Sequence, residues 1–353
     1  MRTRILDCEN NFTEWKQLIE KLPEELQDVY FLPEYIILNL TSTTARGCLF
    51  VHEDDQKVWL FPFILQEVCG YPEIDIKLFD VESPYGYSGP VSNSDEPQFL
   101  TSAHAAYDAW LKHTGVVSVF TRFHPLIANQ RWIGTETMVD PDRETVGLNL
   151  RSNINDVIAD YTAKTRNMIK RPIKSGVYIV DDSSDKGVEE FRRVYSSTMQ
   201  RKNAAAVYCF GSKYFEGLTR LFPDNGFLLL AKIKDEVIAG ACFLIRGRYA
   251  HYHLSGSHPE RMVAGTFNLL LLKAAEICIQ RGAKIMHLGG GTTDKPDDPL
   301  LKFKQTMGKE KLVYHVGTRI VCPAVHRQLK ALWTERNPSL AGVLGGRIQC
   351  YRI

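Results

Sequence analysis

LLLAKIKDEVIAGACFLIRGRYAHYHLSGSHPE, residues 228–260, decides the fold. Apolar runs at 227–233, 237–246 and 249–254 are separated by KDE and RGR. Connections that short make hairpins, so the stretch reads as three antiparallel strands. The period then changes. Leu269, Leu270, Lys273, Ala274 and Ile277 stand near i, i+3, i+4 and i+7 spacing, which predicts a helix over 266–280 with Gly282 as its stop. Residues 284–288 form the next strand, which runs into Gly289, Gly290 and Gly291. Hairpin, helix, strand is an order that needs a crossover. Strand 284–288 should therefore join the sheet of the meander, with the helix packed across it.

Working outward, the first half shows a similar order. Helical patterns cover 12–21 and 33–40, strand-like runs 47–51 and 58–68 flank the turn EDDQK, and the loop SPYGYSGPVSNSDEP occupies 83–97. A helix over 97–112 then leads to a buried strand at 116–123. In the second half, helices are expected over 155–170, 187–202 and 212–221 ahead of the meander. The two halves read as a duplicated α/β unit with mixed sheets, residues 1–150 and 151–353, the latter ending in a basic segment. From Lys302 on, ten Lys and Arg face only Glu310 and Glu335, a pattern expected of a solvated face.

Composition excludes several classes. The 353 residues are 44% hydrophobic and 24% charged, ordinary for a globular chain long enough for about two domains. Forty-three Lys and Arg against 41 Asp and Glu leave a net charge of +2, which argues against a nucleic-acid coat. The start, MRTRILDCENNF, has no apolar core of an export signal, and the most apolar helix carries Lys273 and Glu276. Eight cysteines lie far apart with no C-x-x-C pair, as expected of reduced, mostly buried thiols in a cytoplasmic protein. No phosphate loop, dinucleotide fingerprint or nucleophile elbow is present. His251 and His253 share a strand face, but no third ligand has motif spacing with them, so no metal is expected.

Five pieces carry a resemblance: AKTRNMIKRPIKSGV at 163–177, FRRVYSSTMQRKNAAAVYCFGSKYFEGL at 191–218, the meander, the segment from Thr266 through HLGGGTTDKPDDPLLKFKQTMGK to Lys309, and the upstream SPYGYSGP with FTRFHPLIANQ. Together they resemble the FemAB-like aminoacyltransferases of the GNAT acyltransferase superfamily. The resemblance implies two tandem GNAT-like domains, the first on the acceptor side. It also implies attack of an amine on an activated acyl group, held as aminoacyl-tRNA or acyl-CoA, with no permanently bound cofactor. The acceptor would be a cell-envelope precursor, a muropeptide or amino-sugar, in some cases nucleotide-linked. Residues 261–266, RMVAGT, match the CoA-binding turn of GNAT proteins poorly, and no long helical arm is present, so the donor stays open. The other readings are an acetyl-CoA-dependent sugar N-acetyltransferase and a non-catalytic binder of nucleotide-sugar or RNA.

Within these pieces stand the candidate residues. Lys304 matches the lysine of the family's F-K close, beside Phe303, and a positive charge there suits a developing oxyanion. It should project back to the glycine turn, where Gly290 and Gly291 expose N–H groups as phosphate-binding turns do. His253 and His287, on strands, are candidate general bases because imidazole titrates near neutrality. Tyr85 and Tyr87 occupy a loop and suit stacking on a sugar or base. Arg122, His124 and Arg166 suit phosphate, and Tyr208 completes the substrate-binding set.

Overall fold

The computed structural model describes residues 1–222 and 224–352. The chain folds as two compact units. The first holds Met1–Leu26, Tyr30–Asp142 and the chain from Tyr314 onward, and the second Gln27–Val29 and Arg143–Val313.

In the second unit the strands are Met138–Asn149 (which begins in the first unit), Tyr178–Asp181, Gly226–Ile233, Glu236–Arg246, Tyr249–Ser257 and Ile285–Gly290. Gly226–Ile233, Glu236–Arg246 and Tyr249–Ser257 form the antiparallel meander, and Ile285–Gly290 lies parallel to Tyr249–Ser257. The helix Thr266–Gln280 makes that crossover and buries Leu270, Leu271, Ala274, Ala275 and Cys278 in the core of the unit. Alternation of buried side chains along the strands and the 3.6-residue period of the helix meet in one core, as the sequence predicts.

The first unit repeats this plan. Ala45–Asp54, Lys57–Glu67 and Phe79–Glu82 form an antiparallel meander, the helix Pro97–Thr114 crosses over, and Val116–Arg122 runs parallel to Phe79–Glu82. Aromatic side chains fill its core: Phe50, Trp59, Phe61 and Phe63 pack around Tyr107 with centroids 5.1–6.4 Å from it. The amino-terminal strand Arg2–Asp7 pairs with Ala45–Asp54 at the edge.

Three differences from the sequence reading stand out. The expected helix over 155–170 is two helices, Ile154–Ala159 and Ala163–Lys174, because the Thr162 side chain caps a new start by accepting from Thr165 N–H. The crossing between units lies at Asp142/Arg143 instead of residue 150, and the segment after 313 belongs to the first unit. That segment is basic, and three of its six Lys and Arg are in ion pairs: Arg319 with Asp108, Arg336 with Glu73, and Arg352 with Glu82 at 2.9 Å. The thiols are as expected, all free and five of eight buried. Among the described residues no helix is long and apolar enough to cross a membrane.

Candidate active site at the glycine turn

The site begins with a slip in strand register. Ile285–His287 pair with Asn149–Gly147, but Gly289 then faces Val146, so one residue is extra on the glycine side. Such a bulge bends a strand and re-aims the residues beyond it. Gly289 sits at φ +77°, a region that a side chain disfavours, and a Cβ there would stand 3.0 Å from the Lys304 ammonium.

Lys304 is on the helix Pro299–Met307 and is only 7% exposed. Its Nζ donates to the Gly290 carbonyl at 2.7 Å and lies 5.9 Å from the centroid of Tyr252. Burial pushes its pKa down to about 7, and the charge of Asp298 acts the other way. Lys304 thus reaches the turn as the sequence suggests, but as a group close to half-charged at neutral pH.

Asp298 escapes the sequence reading, although Asp before Pro at a helix start is a capping signal. One carboxylate oxygen accepts from Leu300 and Leu301 N–H at 2.9 and 3.0 Å. The other accepts from the N–H and hydroxyl groups of both Thr292 and Thr293, at 2.6–3.1 Å. These bonds, that from the Thr292 hydroxyl foremost, hold the carboxyl well below the usual carboxylate range. Asp298 ties the glycine turn to the helix that presents Lys304. Gln305 adds a second tie, donating to Glu144 at 2.7 Å.

The remaining candidates of this unit divide. His287 is buried and shares a hydrogen bond of 2.9 Å with Thr145. His253 lies 2.6 Å from the Tyr214 hydroxyl, and burial drives its pKa down to about 3, which leaves a neutral ring of little basicity. Arg166 donates to the Tyr161 carbonyl. Tyr208 is 41% exposed, and its carbonyl accepts from the Tyr195 hydroxyl. Phe303 is half-buried against the core.

In the first unit four candidates gather at one place. Tyr87 packs edge-on against Tyr30 and His124, with centroids 5.6 and 5.8 Å away. Tyr85 is held by its carbonyl, which accepts from Tyr35 at 2.6 Å. The Arg122 guanidinium stacks 5.1 Å from Phe120 and donates to Pro84 at 3.4 Å. His124 Nδ1 accepts from Ile127 N–H at 3.2 Å, which fixes the tautomer.

Known proteins share this fold. Residues 161–304, within the second unit and ending on Lys304, match the Acetyltransferase (GNAT) domain family. The FemAB-like resemblance stands. A UDP-N-acetylmuramoylpentapeptide-lysine N(6)-alanyltransferase of Weissella viridescens is 23% identical over 175 residues, 48% of this chain and 50% of that protein. The match thus spans about half the length of this curated relative. Among solved structures, FemX superposes with a TM-score of 0.69 at 12% identity over 93% of this chain and 99% of its own. L-PGS from Bacillus licheniformis reaches 0.57 at 13% identity, over 86% and 91%. A tandem GNAT protein from the clavulanic acid pathway reaches 0.51 at 10% identity, over 90% and 98%. The fold is therefore the tandem GNAT fold, one GNAT-like unit repeated.

Proposed function

We propose that the protein is an aminoacyltransferase that moves an aminoacyl group from an RNA ester to an amine of a peptidoglycan precursor. The observation that carries this reading is the buried Lys304 ammonium, 2.7 Å from the Gly290 carbonyl at the glycine turn. The acceptor amine attacks the ester carbonyl, the carbonyl oxygen takes up negative charge, and the carbon–oxygen bond to the ribose breaks. The amine loses one proton and the ribose hydroxyl gains one. In this reading Lys304, as the ammonium, balances the oxyanion. His253 is a poor general base at a pKa of about 3, and His287 is engaged with Thr145, so orientation and charge carry most of the work.

The RNA donor is favoured over acyl-CoA by the turn at 261–266. Gly265 is in the left-handed region at φ +93°, and a Cβ built there would lie 1.9 Å from the Met168 carbonyl oxygen. A neighbouring helix thus presses on the turn that GNAT proteins use for a pyrophosphate. Tyr85, Tyr87, Arg122 and His124 are proposed to take the acceptor, with Arg122 on a phosphate. Arg166, Tyr208, Gly290, Gly291 and Phe303 are proposed for the donor side.

The test incubates the protein with a lysine-containing UDP-muramoyl-pentapeptide and either alanyl-tRNA, other aminoacyl-tRNAs or acetyl-CoA. The expected result is an acceptor heavier by one aminoacyl residue and a deacylated RNA. Thiol release from acetyl-CoA would favour the sugar N-acetyltransferase reading. Binding of RNA or acceptor with no transfer from any donor would leave only the non-catalytic one.

A further inference from the structure

The helix Ala163–Lys174 carries Lys164, Arg166, Lys170, Arg171 and Lys174 and no acidic residue. At about 100° per residue, Lys164, Lys170, Arg171 and Lys174 fall within an arc of ~120°. All four are exposed, while Thr165, Ile169 and Pro172 are buried on the opposite side. Among the described residues none of the five cations is within ion-pair distance of a carboxylate.

Five cations with no acid set this helix apart: among the described residues every other α-helix with cations carries an acid of its own, except Pro299–Met307 with two. The helix Asp185–Arg201 pairs Glu189 with Arg192 and Arg193, and Lys273 pairs with Glu276 on the helix Thr266–Gln280. The basic helix also sets Lys164 in its first turn, where the helix dipole disfavours a cation, and has no acid there. Self-solvation by paired charges would have served a plain surface better, so the unpaired stripe is a local conflict of the sort that marks a binding surface.

Its position links it to the reaction. The Thr165 hydroxyl lies 3.5 Å from the Thr306 carbonyl, two residues beyond Lys304 on the neighbouring helix. That helix, too, has only cations, Lys302 and Lys304.

We infer that the exposed face of Ala163–Lys174 docks the phosphate backbone of RNA, holding the stem of the donor while its ester end reaches Lys304. This rests on the RNA-ester donor of the proposed function. A lipid surface fits less well. An interfacial helix buries an apolar face in the bilayer, whereas here the apolar face is already in the core and only Ile173, 55% exposed, stands among the cations. Phosphates spaced along a strand match cations spaced along a helix, and each neutralised phosphate releases counterions.

The test measures anisotropy of a labelled RNA hairpin with a single-stranded 3′ end that carries no aminoacyl group, across a range of salt, so that it reads binding without any transfer. The double variant Lys170→Glu/Arg171→Glu should weaken binding at least about tenfold and flatten the slope of log K against log salt by roughly 1.5–2, two phosphates' worth. Lys186→Glu, on the exposed side of Asp185–Arg201, should change affinity by less than about twofold. Melting curves check that each variant folds. Wild-type protein that ignores the hairpin, an unchanged salt slope in a folded double variant, or tighter binding to vesicles rich in phosphatidylglycerol would overturn the inference. If the hairpin binds through this face but no aminoacyl group moves, the docking surface survives and the proposed chemistry fails. If transfer from RNA proceeds with an unchanged double variant, the chemistry survives and the docking surface fails.

Discussion

The Met168 carbonyl points at Gly265, so closely that a Cβ on the glycine would overlap it at 1.9 Å. Pro172, four residues on, has no N–H to offer that carbonyl, and its Cδ lies 3.2 Å from the same point. A proline inside one helix thereby allows the tight seat of the next.

Gly265→Ala should therefore be costly. Positive φ and overlap with backbone, which cannot swing aside, together should cost roughly 2–5 kcal/mol. Urea unfolding measures this, and a loss below about 1 kcal/mol would mean the two helices separate freely.

Lys304→Ala should keep the fold and lower turnover by about 10²–10³, the usual effect of losing one oxyanion contact. Lys304→Arg should recover little, because the planar guanidinium does not fit the place of a compact ammonium. Lys309 is exposed and donates to Gln305, so Lys309→Ala should change turnover by less than about threefold. Equal losses at both positions would turn the effect into general attraction of an anionic donor.

Turnover should show an alkaline limb near pH 7, where Lys304 loses its proton, and Lys304→Arg should lack that limb. Asp298→Asn removes the negative charge that holds the ammonium, so its limb should move to lower pH. Stability changes in step. Between about 7 and the ordinary 10.5 the unfolded chain binds the proton that folded Lys304 has lost, so the contribution of this residue becomes more favourable as pH rises through that window. Proton uptake on unfolding at pH 8–9, smaller in Lys304→Met, checks the sign.

Asp80 gives the opposite case. It is fully buried, accepts from Ser118 N–H, the Ser118 hydroxyl and the Tyr351 hydroxyl on one oxygen, and is raised to about 6 by burial. Folded Asp80 keeps its proton between 3.8 and about 6 while the unfolded chain has lost it, so its contribution worsens as pH rises through that window. Asp80→Asn should stabilise by about 1–3 kcal/mol above pH 6, and the gain should fade below pH 4. Destabilisation at pH 7.5 would show that the charge is needed by its three donors.

Arg122→Ala should weaken binding of a UDP-linked acceptor by about 10- to 100-fold, the worth of one charged contact to phosphate. Calorimetry with the UDP-muramoyl-pentapeptide reads it, and unchanged affinity would remove Arg122 from the acceptor side.

The parts of this molecule that sequence could reveal are those settled by neighbours in the chain. KDE and RGR declare their hairpins, and Leu269 to Ile277 declare a helix, because turn chemistry and period act within a dozen residues. The glycines are legible as a run that follows a strand, and Lys304 only through the resemblance of the F-K close to a family pattern. The depressed pKa of Lys304 is not, since it comes from burial under a fold. Asp298 stays hidden because its six donors act only once the turn and the helix meet. The return of the segment after 313 to the first unit has no local signal at all, and the break at Thr162 is carried by one cap hydrogen bond.

Asp80 and Tyr351 are 271 residues apart in sequence and joined by a hydrogen bond of 2.9 Å. On a ribosome this sets a schedule. Arg143–Val313 is in hand before the later helices of the first unit have been made, while the Asp80 carboxyl waits for a tyrosine synthesised 271 residues after it. The half that begins first is thus completed last. Until then its Leu78 and Val117 stay short of the cover that Leu329, Trp333 and Tyr351 give them, the interval in which a growing chain is most open to chaperones and to misassembly.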